Sequence, residues 1–99
     1  MDQENAVRNN REKHRFEMMI GEGKTAFIDY IETAEGALAL THTEVPEEFE
    51  GKGIGSRLVE GTFKIVQGQN QKIVPECRFV AVYLERHPEY QSLVASASE

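Results

Sequence analysis

Apolar residues follow two rhythms along this chain, alternation from His14 to Val45 and helical spacing from Ile54 onward. His14 to Ile20 reads as a first strand with Phe16, Met18 and Ile20 on one face, and Gly21-Glu22-Gly23-Lys24 as the turn after it. Thr25 to Glu32 follows as a second strand. It sets Ala26, Ile28 and Tyr30 on one side and Phe27, Asp29 and Ile31 on the other, a partial alternation that predicts two largely covered faces. After the turn at Thr33-Ala34-Glu35-Gly36, Ala37 to Val45 reads as a third strand. Strict alternation places Ala37, Ala39, Thr41, Thr43 and Val45 on one side of it, and Leu38, Leu40, His42 and Glu44 on the other. Connections this short imply an antiparallel meander.

Pro46 ends the third strand, and the rhythm changes. Ile54 to about Gln67 forms a helix with Leu58, Val59, Thr62, Phe63, Ile65 and Val66 as a wide apolar stripe. Gly61 in its middle costs about 1 kcal/mol relative to Ala, a cost that close packing against the sheet would explain. Gly68-Gln69-Asn70-Gln71 stops the helix, and Lys72-Ile73-Val74 is a short strand running parallel to the third, completing a βαβ unit. Arg78 to Arg86 reads as a second helix, and Pro88 to Leu93 as a last helical turn. The predicted class is α+β: a three-strand antiparallel meander, a βαβ unit with a parallel fourth strand, and a C-terminal helix. Met1 to Lys13 shows no periodicity and is expected to be a poorly ordered tail, leaving residues 14–99 as a single domain.

Composition narrows the function classes. The 99 residues are 39% hydrophobic and 28% charged, as in an ordinary soluble protein, with no apolar run near the length of a membrane span and no leader at the start. The lone Cys77 cannot form an internal disulfide and suits a reducing cytoplasm, and His14, His42 and His87 are too scattered to make a zinc set. The net charge of −6 argues against general nucleic-acid binding. It is unevenly spread. Residues 32–50 carry six Glu and no Lys or Arg, whereas residues 51–86 carry six Lys or Arg against three Glu. Such a division suits an anionic cofactor held beside a cationic substrate, or serves solubility alone.

The candidate chemistry gathers where the third strand gives way to the helix. Gly51, Gly53 and Gly55 stand at alternate positions with Lys52 and Ile54 between them and Ser56-Arg57 after. A strand that turns through glycines into a helix leaves backbone N–H groups and the positive end of a helix dipole facing open space, an arrangement that binds phosphate. It is neither of two familiar loops: Ser56-Arg57 stands where a P-loop needs Lys-Ser or Lys-Thr, and the glycine spacing is too tight for a dinucleotide fingerprint. His42 lies close to the strand's exit, on the expected Leu38/Leu40 face, as either a structural histidine or a catalytic one. Cys77 sits at the end of the parallel strand and near a helix start, where ligands bind in α/β sheets and where a helix dipole favours thiolate; a buried inert thiol is the alternative. Tyr83 follows in the second helix, packed in the core or held in reserve as an acid.

Glu50-Gly51-Lys52-Gly53-Ile54-Gly55 resembles the [Gln/Arg]-x-x-Gly-x-[Gly/Ala] acetyl-CoA loop of the GNAT superfamily of N-acetyltransferases, with Glu50 standing where Gln or Arg is usual. Thr41-His42-Thr43-Glu44-Val45-Pro46, Ser56-Arg57-Leu58-Val59, Val74-Pro75-Glu76-Cys77 with Phe79-Val80 and Tyr83, and His87-Pro88-Glu89-Tyr90 extend the likeness to its minimal, YjdJ-like branch. The resemblance implies a minimal GNAT-like fold and an acetyl-CoA or CoA ligand. Its pyrophosphate would lie on the N–H groups of Gly51 to Ser56, with Lys52 and Arg57 adding positive charge, and its pantetheine arm would follow the strand edge near Val45. His42 and Cys77 are implied to face each other across the acetyl group. His42 then takes the proton of an amine acceptor, Cys77 either protonates the departing thiolate or first accepts the acetyl group, and Tyr83 is the reserve acid. A CoA-binding module without transfer and an interaction protein with an acidic lip at Glu44 to Glu50 are the competing readings. The acidic rim favours a cationic acceptor.

Overall fold

The structure, a computed structural model, describes residues 6–95; the expected tail at 1–5 lies outside the described residues, as do 96–99. Five strands form one sheet in the order β1-β2-β3-β4-β5: β1 Val7–Asn10, β2 Arg15–Gly21, β3 Lys24–Glu32, β4 Leu38–Glu44 and β5 Ile73–Pro75. The first four run antiparallel in chain order, and β5 lies parallel to β4. Helices α1 (Ile54–Gly68) and α2 (Arg78–Arg86) both pack on the same side of the sheet, and a 3-10 segment at Pro88–Leu93 closes the layer. This is the mixed α/β, GNAT-like arrangement expected, with one strand more at its start.

That extra strand corrects the reading of an irregular tail through Lys13. Val7–Asn10 carries a single large apolar residue, so no hydrophobic rhythm marks it. Specific contacts hold it instead. The Tyr30 hydroxyl donates to Asn9 Oδ1 at 2.7 Å, and Asn10 donates to Glu17 at 3.0 Å. Val7 lies so close over α1 that a Cβ added at Gly61 would stand 2.4 Å from Val7 Cγ2. The mid-helix glycine is therefore the seat of the edge strand.

The core fills the space between the sheet and the helices. Phe16, Met18, Ala26, Ile28 and Tyr30 from β2 and β3 meet Leu58, Val59, Phe63 and Val66 of α1 and Val80 and Leu84 of α2. Helix α1 ends in a Schellman arrangement: Asn70 takes φ 58°, the Gln71 N–H donates to the Val66 carbonyl and the Asn70 N–H to Gln67. The chain is thereby turned back into β5, whose outer edge is covered by Val94 and by the Ala95 N–H donating to Ile73. Among the described residues no helix lies on the opposite face of the sheet. Ile31 stands 62% exposed there while Phe27 and Asp29 are half-buried, so the outer face of the strand expected to be largely covered on both sides is covered only in part. The helices are simply too few to make a third layer.

A second correction concerns β4. The register pairs Tyr30 with Leu40 but Asp29 with His42, leaving Thr41 as an unpaired bulge residue whose hydroxyl donates to the Asp29 carbonyl at 3.3 Å. The bulge resets the alternation. Thr43 lies opposite core-facing Ile28, while His42 and Glu44 lie opposite Asp29 and Phe27 on the outer face. Leu38, Leu40, Thr43 and Val45 therefore face the helices together, and the strict alternation read from the sequence fails after Leu40.

Candidate functional site

Strand pairing between β4 and β5 stops at Leu40 and Pro75, because proline has no N–H to extend the ladder. The Cys77 N–H makes the last link, donating to the Leu40 carbonyl at 2.8 Å. Beyond that point β4 runs on through Glu44 paired with β3 only, and Val45-Pro46 leads it into a 3-10 turn at Glu47–Phe49. The turn is tied to the sheet by a surface ion pair between Lys24 and Glu48 at 2.9 Å. Both partners are exposed, and each holds the other in its charged form: the Lys24 value is raised and the Glu48 value lowered, first of all by their mutual hydrogen bond.

The chain then passes Gly51 (φ 81°) and Gly53 (φ 77°), left-handed positions that glycine takes without strain, and enters α1. Gly53 is the N-cap and offers no side chain to the helix; no acidic residue stands in the first turn. The first turn closes with the Arg57 N–H donating to Gly53, so the N–H groups of Ile54, Gly55 and Ser56 are the uncapped ones that every helix start leaves. A cavity of about 390 Å³ lies over them, lined by Thr43, Val45, Phe49, Glu50, Gly51, Gly53, Ile54, Gly55, Ser56 and Phe79. Phe79 is the roof: a Cβ at Gly55 would stand 2.4 Å from its ring. No larger residue fits at Gly55 while that ring stays in place.

Of the cofactor residues expected from the sequence, Val45, Gly51, Gly53, Ile54, Gly55 and Ser56 line this cavity. Lys52 and Arg57 do not. Both are exposed beside it, the Lys52 ammonium lying 5.8 Å from the Phe49 ring centroid. Glu50 does line it, a carboxylate at the mouth of an otherwise electropositive cradle.

The expected catalytic residues are not brought together. Cys77 is partly buried on the helix side, its Sγ 3.2 Å from Thr43 Oγ1 with either atom able to donate. His42 lies on the outer face, its Nε2 2.9 Å from Glu44 Oε1 and its ring 6.3 Å from that of Phe27. The implied apposition of His42 and Cys77 is thus corrected by the β4 bulge, which puts Thr43 in the place His42 was assigned. Tyr83 stands apart from both, stacked on His87 at 4.1 Å between ring centroids. Burial, with Glu60, Tyr90 and Glu89 adding to it, pushes its phenol up to about 12, so it stays protonated at neutral pH. Thr43 stands where His42 was expected, and nothing in the sequence marks the bulge that turns it inward. Among the described residues no group of three His, Cys, Asp or Glu is placed to hold a metal ion, and no helix is long and apolar enough to cross a membrane.

Residues 15–93 match the model of a family described as GCN5-related N-acetyl-transferase. A curated relative, Protein NATD1 of Xenopus tropicalis, is 27% identical over 96 residues, covering 94% of this chain and 88% of its own. A GCN5-like protein of Staphylococcus aureus, solved by NMR in solution, superposes with a TM-score of 0.70 at 23% identity, covering 100% of this chain and 95% of that one.

Proposed function

The chain belongs to the GCN5-related N-acetyl-transferase family, and from that premise we propose that it binds acetyl-CoA at the glycine loop and passes the acetyl group to an amine. The observation that carries this reading is the bare start of α1. Three uncapped N–H groups, no acidic residue in the first turn and two left-handed glycines open onto one cavity, and such a cradle fits a pyrophosphate. When bound, acetyl-CoA supplies an acyl group already activated as a thioester.

The chain's own residues then have distinct tasks. The N–H groups of Ile54, Gly55 and Ser56 hold phosphate charge, with Lys52 and Arg57 adding positive potential at the rim. Thr43 and Val45 form the β4 wall along which the pantetheine arm runs. Thr43 and Cys77 share a hydrogen at the end of that wall, which suits Cys77 either to deliver a proton to a departing thiolate or to act as a nucleophile. An amine attacks only when neutral, so its proton needs an acceptor. His42 fills that part only for an amine that arrives from the outer face, where its imidazole and Glu44 lie. The acidic stretch from Glu44 to Glu50 favours a cationic acceptor, and the free thiol suits a reducing cytoplasm.

A second reading, a CoA-binding module without transfer, is favoured by Glu50, whose carboxylate opposes phosphate charge at the cavity. Titration with acetyl-CoA followed by NMR, then intact-protein mass, tests both. Shifts are expected at Gly51 to Arg57 and at Thr43, together with turnover of a cationic amine. One added acetyl mass that disappears in Cys77→Ala makes Cys77 the nucleophile, and transfer without it leaves direct transfer, with Cys77 or Tyr83 as the proton donor. Binding without turnover of any amine leaves the second reading, and no binding at millimolar cofactor overturns both.

A further inference from the structure

The outer face of the sheet, bare of helices among the described residues, carries a regular pattern of charge. Strand register sets its side chains in rows across β1 to β4. One row reads Arg8, Glu17, Phe27, Glu44, and the next reads Asn10, Arg15, Asp29, His42. In these rows the arginines stand on β1 and β2, while Asp29 and Glu44 stand on β3 and β4. Glu17 breaks the division, but it is occupied internally by Arg8, Asn10 and Arg15.

The remaining charges have bonding capacity to spare. The Arg8 side chain is 72% exposed and makes a single bond to Glu17 at 3.3 Å. Glu44 is 55% exposed and faces only His42 among the described residues. The Asp29 carboxylate makes no ion pair among the described residues, although Arg15 is its cross-strand neighbour. Arg15 instead lies over the Phe27 ring, 4.2 Å from its centroid, and donates through Nε to Glu17. A guanidinium has donors enough for a second carboxylate, so Arg8 and Arg15 can each serve another.

A second copy of the chain supplies those carboxylates. A two-fold axis in the plane of the face, parallel to the strands and between β2 and β3, exchanges left and right within each row. It sets Arg8 over the partner's Glu44 and Arg15 over the partner's Asp29, and the reciprocal pairs follow by symmetry. Sheets stacked in this way lie about 10 Å apart and within about 30° of alignment, a gap that arginine side chains reach across. The exposed Met19 and Ile31 flank the rows and are covered in such a pair. The glycine loop and its cavity lie on the helix side and stay open.

We infer that the protein forms a two-fold dimer through this outer face, with Arg8 and Arg15 of each copy paired to Glu44 and Asp29 of the other. Strands about 4.8 Å apart and about six residues long at about 3.3 Å each give a four-strand face of roughly 20 Å by 20 Å. That is small for a stable interface, so a dissociation constant in the micromolar range is expected. His42 is covered in the dimer, so the outer face admits an amine in the monomer only. Sedimentation velocity over a concentration series tests the pairing. Wild-type protein is expected to pass from monomer to dimer, and to do so at higher concentration as salt is raised. Arg8→Glu and Glu44→Arg each put like charges at both symmetry-related contacts, and each is expected to raise the dissociation constant roughly ten- to thirty-fold. Mixing the two variants restores opposite charges at both contacts. The mixture is expected to form a heterodimer near wild-type affinity, which also shows that both variants are folded. Wild-type protein that stays monomeric at millimolar concentration overturns the inference. So does either variant dimerising as wild type does, or a mixture that fails to associate.

Discussion

Thr43 and Cys77 show how little a sequence reveals of the partner a side chain will have. The thiol was legible, because it follows a short strand and precedes a helix. Its neighbour was not, because alternation counted from Leu38 sends Thr43 to the other face, and only the unpaired Thr41 brings it back. Removing one neutral hydrogen bond costs about 1 kcal/mol, which corresponds to roughly a five- to tenfold change in rate. Thr43→Val, which keeps the shape and loses the hydroxyl, is expected to slow acetyl transfer by about that factor at nearly unchanged acetyl-CoA affinity. Thr43→Ser is expected to restore the rate. A kcat equal to wild type in the valine variant would reduce Thr43 to a packing residue.

At the scale of elements, the helices and the central strands follow from hydrophobic rhythm, and β1 does not. Its strand state is written in contacts made elsewhere: the Tyr30 hydroxyl on Asn9, Glu17 beneath Asn10, and the space left by Gly61 for Val7. Gly61 was legible as an anomaly, since a glycine in mid-helix implies a close approach, but the approaching residue was hidden in a stretch without periodicity. Gly→Ala within a helix ordinarily gains about 1 kcal/mol. Here Gly61→Ala is expected to lower stability by roughly 1–3 kcal/mol in urea unfolding, because the new methyl collides with Val7. Val7→Ala is expected to cancel much of that loss in the double variant, a coupling that two independent sites would not show.

For the molecule as a whole, the decisive fact is that the helices of the described residues cover one face of the sheet. The other face keeps its strands in register with polar contacts, and Glu17 is their centre. It is buried at 7% exposure and accepts bonds from Arg15 at 2.8 Å, Asn10 at 3.0 Å and Arg8 at 3.3 Å. Burial alone would raise its pKa, but the bonds and charges of Arg15, Asn10 and Arg8 outweigh burial and lower it. A carboxyl lowered in the folded state contributes stability above its ordinary value near ~4.3 and loses that contribution as pH falls through the folded value. Glu17→Gln is expected to cost about 1 kcal/mol at pH 7, or roughly 4–8 °C in Tm, with the difference from wild type shrinking as the pH falls below 4. A gap that stays constant with pH would assign the loss to packing.

The bulge at Thr41 has a consequence for how relatives of this chain are aligned. Leu40 pairs with Tyr30 and His42 with Asp29, so the ladder is continuous if Thr41 is simply omitted. A homologue shorter by that one residue would keep Thr43 inward and His42 outward, and would lose only the local bend and the hydroxyl bond to Asp29. A single-residue gap at this point is therefore conservative, whereas an ungapped pairing with a strand that has no bulge would equate residues from opposite faces of the sheet. Insertions and deletions here test the inward and outward assignments more directly than substitutions do.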